Sequence, residues 1–270
     1  MNSVTILTIA GSDSCGGAGI QADLKTITAF GAYGMSVITA LTAQNTLGIQ
    51  GIYEVSPDFV GKQLESVMTD IGVDAAKTGM LANTEIVKVV ADKIRKYGIE
   101  KLVVDPVMVS KGGDELIRGE VRKSLIRDLI PLAFIVTPNI PEAETLAEME
   151  ITSVDNMKKS AKRIYSMGTK NVIVKGGHLT GDAVDVLYDG TTFHTFSIER
   201  IKTKDTHGTG CTFSAAIATL LGKGKNVFDA VEGAKNYITE AIRSASSVGA
   251  GYRLINHGGL VKFDHSMKQE

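Results

Sequence analysis

Asp205-Thr206-His207-Gly208-Thr209-Gly210-Cys211 is the stretch of this chain richest in groups that could do chemistry. Two glycines around Thr209 let the backbone turn its N–H groups to one point. A helix expected over Thr209–Leu221 adds the positive end of its dipole. Such a loop suits a phosphate or a developing anion. Cys211 falls in that helix's first turn, where the dipole is expected to lower a thiol pKa and make thiolate accessible near neutrality. The competing reading is an inert Cys buried in an apolar helix. Asn139-Ile140-Pro141-Glu142 puts an amide and a carboxylate at the end of a strand expected over Phe134–Thr137, and Asp105 ends another at Lys101–Val104. Hard oxygen ligands so placed suit a Mg²⁺ that keeps waters and bridges phosphates. For Glu142 the alternative is a helix-start charge favoured by the dipole. Lys175 before Gly176-Gly177 can reach phosphate, or is a surface lysine before a turn. Val107 to Gly113 has the apolar entry and glycine hinge of a flap. For His207 a capping or packing role is the safer reading.

These residues need elements to position them. Short apolar runs are expected as strands at Val4–Ala10, Ser36–Ala43, Ala75–Thr78, Lys101–Val104, Phe134–Thr137 and Asn171–Lys175. Continuous Val/Ile/Leu runs suit parallel strands covered on both faces. Helical patterns lie between them, at Ala18–Phe30, Pro57–Ile71, Thr84–Tyr97, Glu115–Asp128, Pro141–Met149 and Val154–Met167. Asp182–Tyr188 and Thr192–Ile198 flank Asp189-Gly190, a hairpin signal. Helices over Thr209–Leu221 and Asn226–Ala245 complete the set. The pattern predicts a three-layer α/β/α architecture: a mostly parallel central sheet with an antiparallel edge hairpin, and residues 1–270 in one domain. Ligands then bind at the carboxyl ends of the strands. Glycine clusters at 11–19, 79, 112–113, 176–177 and 208–210 all fall at strand-to-helix turns there.

Composition excludes several classes. Lys plus Arg number 29 against 30 Asp plus Glu, a formal net charge of −1, which argues against a nucleic-acid partner and a polybasic membrane anchor. Apolar runs such as Leu132–Val136 are far shorter than the ~18 residues of a membrane span. No Lys or Arg precedes Val4–Ala10, so that run reads as a buried strand and not a signal-peptide core. Two distant cysteines make neither a disulfide framework nor a zinc spacing, as expected of a cytoplasmic protein. Gly17-Ala18-Gly19-Ile20-Gln21-Ala22 matches the dinucleotide fingerprint G-x-G-x-x-A. However, its loop is too long, and Ser36–Ala43 ends in Gln44-Asn45 with no acid for a ribose, which argues against a nicotinamide enzyme. No Walker A spacing occurs.

Taken in order, these segments resemble the ribokinase-like kinases. Within them the chain is similar to the hydroxymethylpyrimidine/phosphomethylpyrimidine kinases of thiamine biosynthesis. The likeness runs from Thr8–Ser14 and Gly16–Lys25 through Thr39–Thr46, Lys77–Leu81 and Asp105–Val109. It continues through Thr137–Asn139 with Glu142, Val174–His178 and His207–Cys211, to about Gly258. The resemblance implies ATP-dependent phosphorylation of 4-amino-5-hydroxymethyl-2-methylpyrimidine and then of its monophosphate. Gly208, Thr209 and Gly210 would form the anion hole, and Cys211 would be the base. Gln44 and Asp23 would bind the pyrimidine between walls of Gly11, Ala18, Met80 and Val107. Lys175 and Asn139 would contact ATP, and Asp105, Glu142 and Asn139 would hold Mg²⁺ and its waters. A homodimer is also implied. The nearest rival is a pyridoxal kinase of the same build. In its thiol-containing members the position of Ser110 is typically a second Cys and the Gln-Asn-Thr stretch is altered. A third reading is a binding module without turnover.

Overall fold

The computed structural model describes residues 3–108, 119–179, 181–201, 203 and 207–258. Nine strands form one sheet in the order β3-β2-β1-β4-β5-β6-β7-β8-β9. The strands are β1 (Thr5–Asp13), β2 (Tyr33–Asn45), β3 (Gly48–Glu54), β4 (Ala75–Thr78), β5 (Leu102–Val104), β6 (Ile135–Val136), β7 (Val172–Val174), β8 (Ala183–Tyr188) and β9 (Phe193–Ile198). From β2 through β7 every pairing is parallel. The β7–β8 and β8–β9 pairings are antiparallel, as expected at that edge.

Why this sheet is covered on both faces follows from period-two alternation. Leu7, Ala76, Leu102, Val104, Val136, Val172 and Val174 face one core. They pack under α2 (Pro57–Asp70), α3 (Thr84–Tyr97), α5 (Ile140–Ala147) and α6 (Val154–Tyr165). Their neighbours Ile6, Ala75, Val103, Ile135 and Ile173 face the other. There α1 (Gly19–Ala29), α7 (Thr209–Gly222) and α8 (Val227–Arg243) close the layer. The apolar runs in the sequence are thus two interleaved sets, each with its own helices. α7 is apolar all round and buried over most of its length, because it packs on the sheet beneath and on α1 and α8 beside it.

The sequence expectation needs two corrections. A second antiparallel edge exists, since β3 folds back on β2 with Leu41 opposite Tyr53 and Thr42 opposite Ile52. β3 is largely exposed and lacks the apolar run that marks a covered strand, whereas β2 is buried at Met35, Val37, Thr39 and Ala40. The helix expected over Glu115–Asp128 begins outside the described residues. Its described part is α4 (Gly119–Ser124), followed by a π turn over Leu125–Leu129 and a 3-10 turn over Ile130–Leu132. Pro131 lacks the N–H that a continuing α-helix would use. Residues 109–113 of the expected flap also lie outside the described residues.

The order of strands reverses between β2-β1 and β4-β5. That switch point opens a crevice at the strands' carboxyl ends. A cleft of about 560 Å³ lies there.

Candidate active site

Helix starts explain much of the cleft. Ser56, Asn83, Asn139, Ser153 and Asn226 cap α2, α3, α5, α6 and α8 with side-chain acceptors. α1 and α7 have no such cap. A first turn with no side-chain acceptor presents its backbone N–H groups toward the space before the helix. Gly19 of α1 and Thr209, Gly210 and Cys211 of α7 line the cleft, together with Pro141 and Glu142 from the first turn of the capped α5. Gly208 makes this possible. Its φ of +77° is left-handed, and a β-carbon there would stand 1.8 Å from the Gly17 carbonyl oxygen. Only glycine lets the two loops approach so closely.

The α7 loop divides the cleft. On one side His207, just before Gly208, has its Nε2 3.4 Å from Gln44 Nε2 and 3.1 Å from Asp13 Oδ2. Asp13 also accepts the N–H groups of Cys15, Gly17 and Ala18. Burial pushes its carboxyl up, but His207 and those N–H groups outweigh it and hold the pKa below the usual value. Gly11, Ala18, Met80 and Val107 also line the cleft. On the other side, a β-carbon built at Gly210 would lie 3.5 Å from Lys175 Nζ and 3.7 Å from Asp105 Oδ2. Lys175 Nζ donates to Asp105 Oδ1 at 3.1 Å, and Thr137 Oγ1 donates to the same oxygen at 3.0 Å. Burial raises the Asp105 pKa, yet Lys175 and then Lys77 bring it below the ordinary range. Glu142 is pushed up to about 7, chiefly by burial and also by the Asp105 charge, with Lys175 pulling the other way.

The structure thus brings together every residue expected at the site except one. Asp23 is fully buried and does not line the cleft. Its Oδ2 accepts from Thr8 Oγ1 at 2.6 Å, and both its oxygens accept from Lys77 Nζ at 3.1 and 2.9 Å. The expectation that Asp23 contacts a ligand gives way to a structural ion pair beneath the cleft. Burial opposes the charge on Lys77, but Asp23 together with Cys211 and Asp105 outweighs it and holds the pKa above the usual value.

Two further expectations change. Burial raises the Cys211 thiol to about 11, against the lowering expected from the helix dipole. Lys77 pulls it down while Asp23 and Asp105 push it up. Asn139 Oδ1 accepts the Glu142 N–H at 2.9 Å while Glu142 Oε2 accepts the Asn139 N–H at 2.8 Å, a reciprocal capping box. The helix-start reading of Glu142 therefore holds, and the Asn139 oxygen is engaged in the cap.

Sequence reasoning missed Lys77, Asp13 and Tyr252, and gave His207 only a packing role. Lys77 sits inside a strand with no local sign of a partner, and Tyr252 follows the last predicted helix. Asp13 carried a signal: an aspartate just before three glycines, which can collect loop N–H groups.

An α/β/α sheet that aims two uncapped helix starts into one crevice, with a lysine and two carboxylates alongside, is the architecture of the ribokinase-like kinases. These enzymes hold a phosphate chain beside a hydroxyl. The family model for phosphomethylpyrimidine kinase matches residues 13–256. The thiamine biosynthesis bifunctional protein of Geobacter sulfurreducens is 54% identical over 94% of this chain, which spans about half (52%) of that relative's length. The hydroxymethylpyrimidine/phosphomethylpyrimidine kinase of Bacillus subtilis is 47% identical, covering 93% of each chain. The solved ADP complex of Bacillus subtilis pyridoxal kinase matches with a TM-score of 0.90 at 42% identity, over 96% of this chain and 99% of that one. The chain belongs to the phosphomethylpyrimidine kinase family.

Proposed function

We propose that this enzyme transfers the γ-phosphoryl group of ATP to the hydroxymethyl oxygen of 4-amino-5-hydroxymethyl-2-methylpyrimidine, and then phosphorylates the resulting monophosphate. The observation that carries the mechanism is the uncapped start of α7 between Gln44 and Lys175. Its N–H groups, from Gly208 to Cys211, face the point where charge builds on the transferred group. Lys175 adds a fixed positive charge at the end of the loop away from Gln44. Gln44 offers a donor and an acceptor at once, matching a ring nitrogen beside an exocyclic amine. Cys211 is the group placed to take the hydroxyl proton, and Asp23–Lys77 sets the field beneath it. Because phosphoryl transfer relies chiefly on positioning and charge stabilisation, a thiol protonated at rest is compatible with turnover.

Magnesium fits Asp105 and Glu142. Two carboxylates whose charges oppose each other at the cleft are a site that a divalent cation relieves. Among the described residues no cluster of three His, Cys, Asp or Glu forms a self-sufficient metal site. That suits an ion completed by phosphate oxygens and water. When bound, it would neutralise charge on the phosphates.

We further infer a homodimer and a cytoplasmic setting. The dimer reading is supported by Leu41 (44% exposed) facing Tyr53 (71% exposed) across the β2–β3 hairpin. Both described cysteines are free, as in a reducing compartment, and no described helix is long and apolar enough to cross a membrane.

The decisive assay is ADP release with hydroxymethylpyrimidine, its monophosphate and pyridoxal in parallel. The expected outcome is a higher kcat/KM for both pyrimidines than for pyridoxal. A higher value for pyridoxal would make this a vitamin B6 kinase, the reading favoured by the pyridoxal kinase likeness. ATP binding without ADP release would make it a binding module.

A further inference from the structure

Beyond α8 the chain stays with the cleft. The N–H groups of Ser246 and Leu254 donate to each other's carbonyls at 2.9 Å, closing this stretch into a strap. The strap is tied to segments that build the Gln44 side of the cleft. Thr46 follows β2, the strand that carries Gln44. Its carbonyl accepts the Tyr252 N–H at 3.2 Å, and its hydroxyl accepts the Gly251 N–H at 3.0 Å. Leu254 bridges to His207, and its Cδ2 would lie 2.8 Å from a β-carbon built at Gly17. The seat is tight, since a β-carbon at Gly251 would stand 1.8 Å from the Thr46 carbonyl oxygen.

This anchoring delivers one side chain to the cleft. Tyr252 is half-buried and lines it, with its ring centroid 5.1 Å from that of His207 and the two planes 33° apart. His207 in turn neighbours Gln44. An amide, an imidazole and a phenol therefore follow one another along one wall. An amide reads the edge of a planar heteroaromatic ring, while an aromatic side chain offers it area and a complementary quadrupole.

We propose that Tyr252 is a specificity-determining residue, held by the 246–254 strap so that its ring packs against the pyrimidine. The inference rests on the kinase reading above and deepens it. The selected substrate class is a flat heteroaromatic alcohol, recognised by ring contact as well as by hydrogen bonds.

The test uses Tyr252→Phe, Tyr252→Leu and Tyr252→Ala in the full chain. ADP release is measured with the pyrimidine varied at saturating ATP, and with ATP varied at saturating pyrimidine. Phe should stay within about twofold of wild type, while Leu and Ala raise the pyrimidine KM about tenfold and leave the ATP KM within about twofold. A pyrimidine KM raised less than about threefold by Leu, a parallel rise in the ATP KM, or a Phe variant as impaired as Leu would each overturn the assignment. Thermal melting identifies a variant that has lost its fold, and the Leu variant keeps the test open if Ala does. Titration calorimetry of hydroxymethylpyrimidine into wild type and Tyr252→Leu reads the contact without turnover. A wild type that binds the pyrimidine but releases no ADP defeats the kinase reading alone. Equal affinities in the two proteins defeat the Tyr252 assignment alone.

Discussion

At the scale of residues, Cys211 and Asp23 show where identity and environment part. The thiol was legible as a reactive candidate from its flanking glycines, but its pKa was not, because burial outweighs the helix start. Thiolate therefore increases with pH throughout the working range, about tenfold per unit well below the pKa. We expect kcat to rise between roughly pH 7 and 9 in wild type and to be flat in Cys211→Ala, which keeps part of its turnover. A flat wild-type profile would remove the thiolate from the proton transfer. Asp23 looked like a ligand contact because it lies beside the first glycine loop. Asp23 lies on α1 and its partner Lys77 on β4, 54 residues away, and no local pattern announces such a pair. Removing one member of a buried ion pair costs about 3–5 kcal/mol. Asp23→Ala should accordingly lower the urea midpoint sharply. Unchanged stability with a raised pyrimidine KM would restore Asp23 to the substrate.

At the scale of elements, the covered strands and their helices were readable because burial on both faces writes continuous apolar runs. β3 was not, because a largely exposed edge strand writes no such run. Glycine position was informative too: glycines of the clusters at 11–19 and 208–210 line the cleft. What the clusters did not tell is that α1 and α7 are left uncapped while five other helices are capped by side chains. Gly208 keeps that arrangement open. Gly208→Ala would force a left-handed alanine against the Gly17 carbonyl. We expect kcat to fall by about a hundredfold, the cost of losing one aligned donor to a developing charge, with the far-ultraviolet circular dichroism unchanged. A kcat within about threefold of wild type would show that these N–H groups do not carry the transferred charge.

At the scale of the whole molecule, one sheet gathers its chemistry at a single edge, and near-zero net charge is no obstacle to handling phosphate. The positive potential is local, made of backbone N–H groups, Lys175 and the buried Lys77. The exposed Leu41–Tyr53 pair belongs to this scale too. If it is covered by a second subunit, the double substitution Leu41→Glu with Tyr53→Glu should halve the mass seen by sedimentation. A wild-type chain that already sediments as a monomer would defeat the dimer.

The strap also bears on the order in which the protein is made. Ribosomes deliver all nine strands first, then the glycine loop, and the segment that seats Tyr252 almost last. A nascent chain can therefore assemble most of its framework before the substrate end is complete. Premature termination or proteolytic trimming just past α8 would remove Tyr252 together with Ile255 and His257, which are buried against α7 and α8, so an intact final segment is a quality mark for any preparation of this enzyme.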